Sequence, residues 1–359
     1  MKALISRGVG RDLAVEDVHL PATGAGEVRV RIRAAGVCHS DLSMTNGTVV
    51  PPYPLVLGHE AAGVVTEVGD GVEWVAVGQH VVLNWSPACR QCWYCRRGES
   101  WLCESAGAAA VPRGTTADGT PLHATLGLGA LAQEVVVPEH AVIAVPDEVP
   151  FEQAALLGCA VMTGAGAVAN TAGVAAGDSV LVIGLGGVGL SAVMAARRAG
   201  ADPVIAVDVS PAKRELALAA GATDFLVSDD TLSKAVRALT DGRGADHAIE
   251  CVGRAATIRA AWRATRRGGH VTVVGMGAKD DLLSLSALDI FSSARSLRAS
   301  VYGSADPDRE VPELARAVLD GSLNLRPLVS HRITLDEAPE AFARMSRGEG
   351  ARSVVVFED

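Results

Sequence analysis

The stretch SVLVIGLGGVGLSAVMAARRAG, residues 179–200, passes from a short apolar run through a glycine turn into an apolar segment of helix length. Gly184, Gly186 and Gly189 stand in the pattern G-x-G-x-x-G directly after the run. In a dinucleotide-binding turn the first glycine permits the tight bend and the second lets the backbone approach a pyrophosphate. The third allows close strand–helix packing, and the phosphate rests on the helix N-terminus. An ordinary glycine turn has the same letters, so the context has to decide. Asp208 closes the next apolar run, VIAVD, nineteen residues after Gly189, where a carboxylate accepts hydrogen bonds from the adenosine ribose hydroxyls and repels a 2′-phosphate. Its other reading is a cap for the SPAKRE segment that follows. Together the glycines and the aspartate predict an NAD site, with Gly187 and Val188 completing the turn.

Downstream the same rhythm repeats. PVIAVDV is followed by PAKRELALAAG and HAIECVG by a helical run, then comes HVTVVGMG. Apolar strands alternating with helix-length segments predict a parallel sheet covered on both faces. Upstream, EVRVRIRAAGV, AAGVVTEVG, HVVLNW and LAQEVVVP are short β-branched runs broken by glycine and proline, which predict a β-rich unit. After about Val301 a helix-like ELARAVLDG precedes a last strand, SVVVF, that is expected to return to the first unit. The division expected is 1–160, 161–301 and 302–359, an α/β chain of two domains.

The composition excludes several roles. A formal charge of −9 with no Lys/Arg block argues against a nucleic-acid backbone as partner. Residues 153–177 and 179–196 carry no charge, but their glycines, and Thr163, Asn170 and Thr171 in the first, fit buried elements of a core better than a membrane span. The opening MKALISRGVGRDL lacks the apolar stretch of a signal peptide, so a reducing cytoplasm is expected.

In that compartment cysteines are available to metal. Cys89, Cys92, Cys95 and Cys103, in CRQCWYCRRGESWLC, have gaps that let four thiolates converge on one tetrahedral ion, and zinc is expected in a lobe at 86–104. Four sulfur ligands leave no open position, so such a site is structural. A second set is scattered: Cys38 in GVCHSD, His59 in GHEAAG and Cys159 in GCAVMTG. Two thiolates and one imidazole would leave a fourth position for substrate. Taken singly, they read equally well as buried cysteines and a hydrogen-bonded core histidine, and spacing leaves both readings open.

GHEAAGVVTEVG, GVCHSD, the four-cysteine lobe, GLGGVG with its strand-end aspartate, and ECVG occur here in the order that resembles the zinc-dependent medium-chain alcohol dehydrogenases. The resemblance runs from the first strand to SVVVF. It implies a GroES-like catalytic domain, a doubly wound Rossmann coenzyme domain inserted in it, and an active site between them. It implies two zinc ions per subunit, one catalytic on Cys38, His59 and Cys159 and one structural, and hydride transfer between an alcohol and NAD. Glu60 matches a carboxylate that approaches the metal from behind, and Asp41 the carboxylate that orients the ligand histidine. Ser40 matches the hydroxyl that hands on the alcohol proton. Arg352 and His39 match groups facing the coenzyme pyrophosphate, and Lys213 one supporting the adenosine ribose. Homodimers or homotetramers through the coenzyme domain are also implied.

One departure concerns proton release: many relatives carry histidine three residues beyond the relay hydroxyl, and this chain has Ser43. The resemblance also places Trp85, Thr125, Leu126 and Met276 along a substrate pocket, with Thr125 where some relatives have a larger ring. A primary alcohol with a long or aromatic tail is the expected substrate. The segment VVLNWSPAC is also similar to thiol-dependent formaldehyde dehydrogenases, which makes a thiol–hydroxymethyl adduct the alternative.

Overall fold

Val180–Ile183 forms the central strand of a six-stranded parallel sheet in the computed structural model, which describes residues 1–106 and 112–358. Strand Val204–Asp208 and then Asp224–Val227 lie on one side of it. On the other side are Ala245–Glu250, Thr265–Val273 and Ser296–Ala299. Numbered along the chain this order is 3-2-1-4-5-6, the Rossmann arrangement. Val180, Leu181 and Val182 are fully buried because helices cover both faces. Helix Gly187–Arg198 buries Leu190, Ala192, Val193 and Ala196. Helix Ala255–Ala264 buries Ala261 and Trp262, and the Trp262 indole donates to Asp289 at 2.6 Å. Each fully buried Leu, Ile or Val is worth about 1.5–3 kcal/mol, so this sheet rests mainly on apolar burial.

The β-rich unit is built on alternation. In strand Glu27–Gly36, Val28, Val30 and Ile32 are fully buried while Arg29, Arg31 and Arg33 point away from the core. That strand pairs with Ala61–Val68, Glu134–Pro138 and, antiparallel, the C-terminal strand Arg352–Val356 in a seven-stranded sheet. A five-stranded sheet centred on Lys2–Ser6 belongs to the same unit. Leu55, Leu57, Leu83, Leu131 and Val137 join the buried faces into one core.

Two compact units result: 1–159, 306–321 and 329–359 form one, and 160–305 with 322–328 form the other. The tail therefore does not return as one piece, as the sequence had suggested for 302–359. Residues 302–305 stay with the parallel-sheet unit, and 322–328 rejoin it, with Leu323, Leu325 and Leu328 buried. The helical run Phe151–Ala172 is long and apolar enough to cross a membrane by length and composition alone. It is nevertheless a core element, with 72% of its most apolar window buried inside the protein.

Candidate active site and coenzyme turn

Cys38, His59 and Cys159 lie more than a hundred residues apart at their extremes and converge in the β-rich unit. Their ligand atoms are all within 4.8 Å of one another and all three residues are buried. Cys38 ends the segment after strand Glu27–Gly36 and precedes helix His39–Thr45; His59 precedes strand Ala61–Val68; Cys159 sits in the run that starts at Phe151. His59 Nε2 is 3.3 Å from Cys159 Sγ. Its Nδ1 faces Asp41 Oδ2 at 3.0 Å, and Asp41 Oδ1 accepts the Gly58 amide at 2.7 Å. The carboxylate thus holds the Nδ1 proton and turns Nε2 towards the thiol side of the site.

The electrostatics are those of a cation site. Burial works against a charged imidazole, but Asp41 and then Cys38 outweigh it and raise His59 well above its ordinary value. Hydrogen bonding with Cys159 holds the Cys38 thiol well below its usual range, helped against burial by Arg352 and His59, while Cys38 and burial push Cys159 up. A soft S₂N donor set with one position to spare fits zinc. Arg352 is 4% exposed, 3.3 Å from Glu60 and 3.1 Å from the Val37 carbonyl. Burial opposes its charge, yet Glu60, Cys38 and Cys159 hold it protonated. Arg352 thus pairs with Glu60 and the Val37 carbonyl beside the two thiols, a pairing that no local pattern in the sequence signals.

Around the donors, Ser40 Oγ lies 4.0 Å from Cys38 Sγ, His39 is exposed and Ser43 half-buried. Trp85 and Leu126 are half-buried against the core of this unit, and Thr125 is 1% exposed. Met276 belongs to the parallel-sheet unit and is 53% exposed.

The four lobe cysteines also converge, with sulfurs within 4.8 Å of one another. Tetrahedral Zn–S bonds of about 2.3 Å need sulfurs about 3.8 Å apart, so the set fits one ion. Backbone amides of Cys89, Cys92 and Cys95 donate to the sulfurs of Cys103, Cys89 and Cys92 at 3.2, 3.3 and 3.5 Å. Amides of Gln91 and Cys92 bring Cys89 down to about 6. Burial, then Cys92 and Cys103, push Cys95 up to about 12, the repulsion a cation would relieve. Arg90 leaves the lobe to pair with Asp306 at 2.6 and 2.8 Å and with Asp308, which fastens the lobe to helix Pro307–Leu319.

In the parallel-sheet unit, Gly184 has φ +91°, and a Cβ at Gly189 would stand 1.8 Å from the Gly184 carbonyl oxygen. A Cβ at Gly186 would meet nothing within 4 Å. The protein itself thus demands the first and third glycines, and the open space at the second fits a pyrophosphate. Helix Gly187–Arg198 begins there with no side-chain cap, leaving its first amides available. Asp208 accepts the Leu185 amide at 2.8 Å and the Ser210 amide at 2.9 Å, which holds the turn and leaves carboxylate lone pairs for ribose hydroxyls. Lys213 is buried near Asp208; burial lowers it and the carboxylate works against that.

Comparison with known proteins agrees with this geometry. Residues 24–147 match the alcohol dehydrogenase GroES-like domain and residues 187–320 the zinc-binding dehydrogenase domain. The chain is 35% identical to the S-(hydroxymethyl)glutathione dehydrogenase of Escherichia coli O1:K1, with 99% of each chain covered. It is 36% identical to the NDMA-dependent alcohol dehydrogenase of Amycolatopsis methanolica, over 99% of this chain and 98% of the relative. The benzyl alcohol dehydrogenase of Acinetobacter calcoaceticus superposes with a TM-score of 0.91 at 28% identity, covering 99% of both chains. The converging S₂N donors, the coenzyme turn and these full-length relatives place the chain in the zinc-dependent medium-chain dehydrogenase/reductase family, as an oxidoreductase of the alcohol dehydrogenase type.

Proposed function

We propose that the protein oxidises a primary alcohol with NAD as coenzyme, using one zinc ion on Cys38, His59 and Cys159 and a second, structural ion on Cys89, Cys92, Cys95 and Cys103. The observation that carries the reading is the buried S₂N set, three donors where a tetrahedral ion takes four, with Asp41 orienting His59 and the Ser40 hydroxyl beside Cys38. Zinc supplies Lewis acidity that makes an alcohol hydroxyl acidic near neutral pH, and NAD supplies the hydride acceptor. Asp41 fixes the His59 ring, and Glu60 with Arg352 balances charge behind the thiolates. Ser40 Oγ accepts the alcohol proton and releases its own to water or His39, since Ser43 offers no imidazole. Asp208 selects NAD over its 2′-phosphorylated form. Arg352 and His39 as pyrophosphate contacts, and Lys213 beside the ribose, belong to the same reading.

Thr125 and Trp85, with Leu126 beside them, favour a long or aromatic alcohol, and the benzyl alcohol dehydrogenase relative supports this. Oxidation of an S-hydroxymethyl thiol is the second reading, favoured by relatives named S-(hydroxymethyl)glutathione dehydrogenase. A second copy of this chain is the proposed partner: Leu288 and Phe291, 75% and 85% exposed, precede the edge strand Ser296–Ala299. The proposed location is the cytoplasm.

The test is a panel of graded alcohols with NAD and NADP on zinc-replete protein, then formaldehyde with and without a low-molecular-weight thiol. NAD reduction by alcohols alone supports the first reading. Turnover only with formaldehyde and thiol replaces it with the second, and no turnover in any arm removes both.

A further inference from the structure

Glu250 ends strand Ala245–Glu250 and is fully buried. Its carboxylate accepts the Val252 amide at 2.9 Å, the Gly253 amide at 3.0 and 3.1 Å, and the Thr257 hydroxyl at 2.7 Å. All three donors are neutral. A buried carboxylate costs several kcal/mol of desolvation, so its presence calls for a task an apolar side chain could not perform.

That task is to hold chain ends together. The side chain folds residues 251–254 back onto their own strand, while the Glu250 carbonyl accepts the Val274 amide at 2.8 Å and the Gly275 amide at 3.0 Å. The two loops interlock, for a Cβ at Gly275 would stand 2.1 Å from the Gly253 nitrogen. They also abut the coenzyme turn. The Cys251 amide donates to the Ile183 carbonyl at 2.9 Å, and a Cβ at Gly184 would stand 2.5 Å from Val252 Cγ2. One buried residue therefore braces the loops 251–254 and 274–277 against the turn at 184.

Their position assigns what they serve. A dinucleotide straddles the point where strand order reverses, here the end of Val180–Ile183. Asp208 closes the strand on one side, which takes the adenosine half. The loops braced by Glu250 close the strands on the other side, which leaves them the nicotinamide half.

We propose that Glu250 is a positioning residue for the nicotinamide half of the coenzyme, acting through the loops 251–254 and 274–277. The inference rests on reading Gly184–Gly189 as an NAD turn. It is tested by titrating zinc-replete wild type, Glu250→Ala and Thr257→Val with NADH and, separately, with ADP-ribose, which carries the adenosine half and pyrophosphate but no nicotinamide. Losing hydrogen bonds to a charged group predicts an NADH Kd raised about tenfold or more in Glu250→Ala and about threefold in Thr257→Val, with ADP-ribose within about twofold of wild type in both. Equal weakening of both ligands would make Glu250 a general support of the fold, and unchanged NADH affinity would leave it no role here; either overturns the proposal. If Glu250→Ala does not fold, Thr257→Val decides by the same criterion. Wild-type protein that binds neither ligand overturns the coenzyme reading, and the proposal with it.

Discussion

Asp41 and His59 meet at 3.0 Å through Oδ2 and Nδ1, with both side chains essentially excluded from solvent. The other Asp41 oxygen takes the Gly58 amide, so the carboxylate ties helix His39–Thr45 to the segment that carries the histidine. Asp41→Asn keeps the shape but weakens its hold on the Nδ1 proton. Zinc affinity at this site or kcat/KM should fall about 10–100-fold. Zinc competition with a chromogenic chelator and steady-state kinetics check this, and unchanged values in both would deny Asp41 an orienting role.

Ser43 stands one helical turn after Ser40, where an imidazole would offer a second proton carrier. Ser43→His should move the pH dependence of the hydride-transfer step, because the added group titrates near pH 6.5. Single-turnover NADH formation from pH 5.5 to 9 is the measurement. Superimposable profiles would mean that the relay does not pass this position.

The lobe should matter to stability before it matters to chemistry. Cys95→Ser removes one of four thiolates and should halve the zinc content while lowering Tm by about 5 °C or more, a loss of a few kcal/mol in a chain of this size. Metal analysis and calorimetry check it. Intact melting with abolished activity would reverse the proposed division between the two sites.

Asp246, in the parallel-sheet unit, is held at about 2: burial opposes its charge, but the Ser179 hydroxyl, Arg266 and the Ser179 amide outweigh it. The folded value lies below the unfolded one, so the stabilisation is present above about pH 4 and disappears as pH falls towards 2. Asp246→Asn should therefore cost about 1 kcal/mol at pH 7 after allowance for partial exposure. The gap from wild type should narrow below about pH 4. Denaturant melts at pH 7, 5 and 3.5 test this, and a gap that widens with acid contradicts it.

Much of this protein was written locally. A glycine turn between a strand and a helix, an aspartate at the next strand end, and cysteines at short fixed gaps are decided within a few tens of residues, so their reading survives without a fold. The alternation in EVRVRIRAAG likewise announced which faces are buried. The structure decided what depends on distant segments. Cys38, His59 and Cys159 become one donor set only because three elements of the β-rich unit bring them together, and no local pattern chooses between a core histidine and a ligand. Arg352 pairs with Glu60, almost three hundred residues away, because strand Arg352–Val356 lies beside Glu27–Gly36. The division of the C-terminal segment, with 322–328 in the parallel-sheet unit and Leu325 and Leu328 fully buried, exists only in the packed chain.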